Sequence, residues 1–149
     1  MRCSAMLILI GLTVIAAGCD SDPKSARGFS LPDGDVAIGQ KTFLEMRCNA
    51  CHEVSGLDLP DTGETKELSV MLGGTVSRIK TYGELVTSII NPSHRLATGY
   101  PSDEIQIEGR SRMLNYNDAM TVSELIDLVS FLQSHYELRE YDMTNYPMY

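Results

Sequence analysis

Two thiols and an imidazole stand within five positions of each other in EMRCNACHEV, residues 45 to 54, where Cys48, Cys51 and His52 form a C-x-x-C-H cluster. Three chemistries use such spacing: a redox-active dithiol, half of a tetrahedral zinc site, or the covalent attachment of a haem. In the third, Cys48 and Cys51 bond the two vinyl groups and His52 ligates the iron from one side. The spacing suits that task mechanically. At the end of a helix, both sulfurs face one edge of the macrocycle while the next side chain swings under the metal.

A helix is predicted over 35 to 48, leading into the cluster. Asp35 caps it, and Val36, Gly39, Phe43 and Met46 follow at spacings of three and four along one face. A second helix starts at the capping box Thr81-Tyr82-Gly83-Glu84, carries Leu85, Val86, Ile89 and Ile90, and stops at Asn91-Pro92. A third opens with Thr121-Val122-Ser123-Glu124 and lines up Val122, Leu125, Val129, Leu132 and Tyr136, with Ile126 and Phe131 widening the stripe. Residues 53 to 80 and 92 to 120 read as long loops, with one short extended piece at Ile105-Gln106-Ile107. Loops of that length need an organiser, and a large buried cofactor offers an apolar surface for them to pack on.

The first residues bear on the cysteine count. An apolar run from Met6 to Ala17 follows Arg2 and ends at Ala16-Ala17-Gly18-Cys19, which reads as an export signal with a small-residue cleavage site. The run is too short to span a bilayer as a helix, which takes roughly 20 residues. It resembles a bacterial lipoprotein signal, although Ala16 stands where leucine is commoner; the other reading is an ordinary secretory signal. The resemblance implies cleavage before Cys19, lipid modification of Cys19 and a place on the periplasmic side of the inner membrane. Residues 1–18 are then the signal and 19–34 a lipid-anchored flexible tether, mixing Pro, Gly, Ser and charges without apolar periodicity. Cys48 and Cys51 are left as the cysteines of the folded part.

The chain carries 12 Lys and Arg against 20 Asp and Glu, a net charge of −8, and loss of Arg2 with the signal takes it to −9. Such a chain lacks the basic surface that nucleic acid requires. It favours partners with basic docking patches, met by electrostatic steering.

A thioredoxin-like dithiol calls for a strand into the C-x-x-C and a parallel sheet around it, whereas the residues before Cys48 read as helical. Zinc would need two further ligands, which only His94 and His135 could supply, from unrelated contexts. The haem reading is the one that the surrounding sequence favours.

DVAIGQKTFLEMRCNACH resembles the amino-terminal helix and haem motif of class I c-type cytochromes, and AMTVSELIDLVSFL resembles their carboxy-terminal helix; the likeness spans residues 35 to 136. It implies an all-α, cytochrome c-like fold over 35–149, with three to four helices wrapped around one covalently bound haem c, and long ordered loops. It also implies a helix crossing near Gly39, Phe43 and Phe131. The family's second axial ligand is a methionine from the loop before the last helix, which here is Met113 in SRMLNY or, as the alternative, Met120 in NDAMTV. Met120 abuts the capping box, where it would serve as a hydrophobic staple. Two family features differ: Leu114 stands where a proline usually follows the methionine, and Pro60 is the proline nearest to where a carbonyl would receive the imidazole proton.

Six-coordinate iron is a carrier's site, so the resemblance implies single-electron transfer between exported or membrane-bound redox proteins rather than enzymatic turnover. Two alternatives stand beside it. One is a peroxidase-like or gas-binding haem with an open sixth position, and the other is a fixed electron-relay subunit of a membrane complex. Arg78, Lys80, Arg95, Arg110 and Arg112 form a basic stretch that either pairs with haem propionates or is simply solvated; His94 has the same two roles open to it, and distal ligation besides.

Overall fold

The structure is a computed structural model that describes residues 29–63 and 67–140. Leu31–Tyr149 forms one compact unit, and residues 1–30 belong to another of which only Phe29 and Ser30 are described. The signal, Cys19, the first part of the tether and the tail beyond Glu140 lie outside the described residues. No helix among the described residues is long and apolar enough to cross a membrane.

Three helices carry the core, and local chemistry starts each of them. Helix α1 (Val36–Glu45) is capped by Asp35, whose carboxylate accepts from the amides of Ala37 and Ile38 at 2.8 and 3.0 Å. Both α2 (Tyr82–Ile90) and α4 (Val122–Gln133) begin with complete capping boxes, from Thr81 with Glu84 and from Thr121 with Glu124. A single turn, α3 (Ser102–Ile105), lies between them in sequence.

Helices α1 and α4 meet at Gly39, where a β-carbon would lie 2.0 Å from the carbonyl oxygen of Asp127 and 2.7 Å from Cβ of Phe131. Only hydrogen in place of a side chain lets the backbones come this close. One turn on, Phe43 and Phe131 are both 1% exposed, and their rings pack at 5.6 Å in a tilted pair. Leu85, Val86 and Ile89 of α2 and Leu128, Val129 and Leu132 of α4 complete the core with Val54. The five residues before α1 belong to the same unit: Leu31 packs on the core, and the amides of Gly34 and Asp35 donate to Ser130 Oγ and Asp127 Oδ1.

The all-α expectation is wrong. The fold is mixed α/β, with six short strands in three pairings among the described residues. Strand β1 (His52–Val54) pairs in parallel with β2 (Val70–Leu72), β3 (Gly74–Val76) in parallel with β6 (Tyr136–Leu138), and β4 (Gln106–Ile107) antiparallel with β5 (Arg110–Ser111). Each strand has two or three residues, too few for alternation to show in the sequence. They pair backbone groups of the loops, where no helix supplies the partners. Nor does α1 reach the cluster. It stops at Glu45, Arg47 turns left-handed at φ 56°, and Cys48–Ala50 form a separate 3₁₀ turn.

Candidate functional site

The turn after α1 delivers Cys48, and strand β1 begins with His52, so the two ends of the C-x-x-C-H cluster rest on different elements. The junction is fastened from inside. Asn49, 6% exposed, donates from Nδ2 to the Pro60 carbonyl at 2.9 Å, which draws the following loop under the turn. From the other side β2 grips it: the amide of Val70 donates to the Cys51 carbonyl at 2.8 Å, and His52 Nδ1 faces the Val70 carbonyl at 3.3 Å.

A carbonyl only accepts, so this contact places the proton on Nδ1 and leaves Nε2 with its lone pair free. Pro60 is therefore not the acceptor for this imidazole; its carbonyl is taken by Asn49, and Val70 fills that position. Burial lowers the His52 pKa; the Val70 hydrogen bond opposes this, and the charge of Lys80 adds to it. A neutral ring is the form that ligates a metal.

Cys48, His52, Met113 and Met120 line one cavity. Phe43, Leu72, Ile89, Leu128 and Leu132 make most of the remaining wall, with Ser88 and Tyr116 as its hydroxyls. The cavity has a volume of about 80 Å³ and is partly open to solvent. Cys51 is exposed and not part of the wall; both cysteines are free thiols. Met120 also lines a neighbouring surface groove with Val122 and Leu125, which Met113 does not line. In kind, the donor set matches what a covalently held haem needs: two thiols close in sequence, a neutral imidazole and a thioether, around apolar walls.

His94 and His135 stand elsewhere. His94 is exposed and bonded to the Asn91 carbonyl, and His135 packs edge-on against Phe131 with its Nδ1 on that residue's carbonyl. Among the described residues no three His, Cys, Asp or Glu side chains gather as a metal site, which removes the zinc reading with these histidines. The Cys48 thiol is pushed up to about 11, chiefly by burial, the opposite of the activated thiol that a redox dithiol needs.

The basic stretch is largely engaged by carboxylates. Arg78 holds Glu84 with two hydrogen bonds at 2.8 and 2.9 Å, Arg95 lies 3.9 Å from the same carboxylate, and Arg112 pairs with Glu67 at 2.7 Å. None of the five basic residues lines the cavity. The hydrogen bond from Arg78 and that from the Thr81 backbone hold the Glu84 carboxyl down at about 2. A carboxyl lowered in the folded state adds stability above its unfolded pKa, near 4.3, and that stability disappears as pH falls through the folded value. Glu84→Gln is therefore expected to flatten the loss of stability between about pH 4.5 and 2, read from acid unfolding followed by helical circular dichroism. The effect is small and shrinks with added salt, because the pair is solvent-screened.

No known protein family, no curated protein and no solved structure matches this chain.

Proposed function

We propose that this chain is a monohaem c-type electron carrier, exported and held at the membrane by lipid on Cys19. The observation that supports the reading best is the meeting of Cys48 and a neutral His52 with Met113 and Met120 in one apolar cavity. When bound, the haem supplies a one-electron iron couple whose potential a thioether ligand raises.

The chain's own residues do the rest. Cys48 and Cys51 would tether the group, so that dilution outside the cell would not remove it. His52 offers Nε2, with its ring held by Val70. Met113, which does not line the groove beside Met120, would offer the thioether sulfur, and Met120 would pack as wall. Phe43, Leu128 and Leu132 exclude water, which limits reorganisation between oxidation states. Aside from His52 and the Cys48 thiol, which the haem attachment would consume, the ionisable group in the wall is the phenol of Tyr116, whose pKa burial raises; this favours a carrier over a haem enzyme. With acidic residues in excess, the partners are redox proteins that present basic surfaces.

The test is the visible and far-red spectrum of the chain exported from a host that matures c-type haem, oxidised and then reduced. A sulfur-to-iron band in the oxidised form supports the carrier; a high-spin spectrum that shifts with carbon monoxide after reduction would point to an open iron and a ligand-binding or enzymatic role. Met113→Ala is expected to abolish the band and Met120→Ala to leave it. The reverse pattern would exchange their roles.

A further inference from the structure

Both ends of the stretch Met113–Met120 line the cavity, and side chains of the stretch and of Arg112 before it tie it to other parts of the chain. Arg112 pairs with Glu67 at 2.7 Å, Asn117 Nδ2 donates to the Ile90 carbonyl at 2.9 Å, and the Tyr116 hydroxyl donates to the Met46 carbonyl at 3.0 Å. Of these three residues Tyr116 alone also lines the cavity.

Its contact bridges 70 positions of sequence to the cap residue of α1, two before Cys48. Its own carbonyl accepts from the amides of Ala119 and Met120 at 2.9 and 2.8 Å. One residue thus joins the turn that places Met120 to the segment that places Cys48. We infer that Tyr116 is a positioning residue, a latch that holds the methionine-bearing loop shut against the cysteine-bearing turn. Burial raises its pKa, and the phenol, protonated at neutral pH in any case, is a donor there. The consequence for ligand exchange rests on the haem reading above; the latch itself is a property of the chain.

Tyr116→Phe keeps the ring in the wall and removes the donor. The comparison is Thr81→Ala, which costs a similar amount of stability at the far end of α2 through loss of its cap. Two measurements on the exported chain decide. Hydrogen exchange at the amides of Ala119 and Met120 should quicken about fivefold in Tyr116→Phe, the factor carried by a net hydrogen bond of ordinary strength, and should not in Thr81→Ala. Free imidazole should displace the methionine from the oxidised haem about fivefold more readily in Tyr116→Phe alone. Wild-type behaviour in both, or equal shifts in the two variants, would overturn the latch. Should the wild-type chain carry no haem, the carrier reading falls while hydrogen exchange still decides the latch.

Discussion

Replacing Cys48 and Cys51 together with alanine is expected to leave the exported chain with no covalently held haem. After denaturing electrophoresis, a peroxidase stain for haem should fall to background in the double variant while an antibody still finds the chain. The size of the effect follows from the bond type. A non-covalent haem is lost in detergent, whereas a thioether survives it, so the stain reads the sulfurs directly. The two positions differ in setting, since Cys48 lies in the cavity wall and Cys51 is exposed. Each single variant keeps one possible thioether and should retain a weaker stain. Truncation at Cys51 removes no cavity wall, so loss of haem there would be chemistry rather than misfolding. Undiminished stain in the double variant would end the attachment reading of the C-x-x-C-H cluster.

The second large effect is at Gly39. In Gly39→Ala the new methyl would stand 2.0 Å from the Asp127 carbonyl oxygen and 2.5 Å from its carbon, backbone atoms that no side-chain rotation can move. Helices α1 and α4 must separate, and with them the Phe43–Phe131 pair, whose members are the largest fully buried side chains among the described residues. Overpacking of this kind costs about 3 kcal/mol, a large part of the stability of a domain this size. Urea unfolding followed by circular dichroism would measure it. Gly83→Ala is the built-in comparison: its β-carbon meets nothing nearer than Thr81 Oγ1 at 3.9 Å. In a helical position with open space, alanine should stabilise by up to about 1 kcal/mol. Equal effects at the two glycines would mean that the helix crossing is looser than its distances say. Because α1 also carries Phe43 into the cavity wall and leads to Cys48, a Gly39 variant that folds should bind haem poorly as well.

What the sequence determined by itself is what depends on neighbours a few residues apart. Asp35, Thr81 and Thr121 mark the helix starts, because a cap is a bond between a side chain and amides two or three positions on. Most of each apolar face is legible because helical geometry repeats within a window that the eye can scan, but Val36, Ile90 and Val122, placed on those faces by spacing, are exposed, and Tyr136 lies in β6 beyond the end of α4. The C-x-x-C-H cluster is legible for the same reason. Pairings across distance were decided by the tertiary structure. Strands of two or three residues carry no period of their own, and the partner of Gly74 is Tyr136, 62 positions away. Nothing in the local sequence marks Val70 as the acceptor for His52, since any residue brings a carbonyl and only the β1–β2 register chooses which one. The engagement of Arg78 with Glu84 and of Arg112 with Glu67 was hidden in the same way. Tyr116, an aromatic between two methionines, was the nearest thing to a signal, but its bond to Met46 exists only once α1 and the loop before α4 have closed on the same cavity.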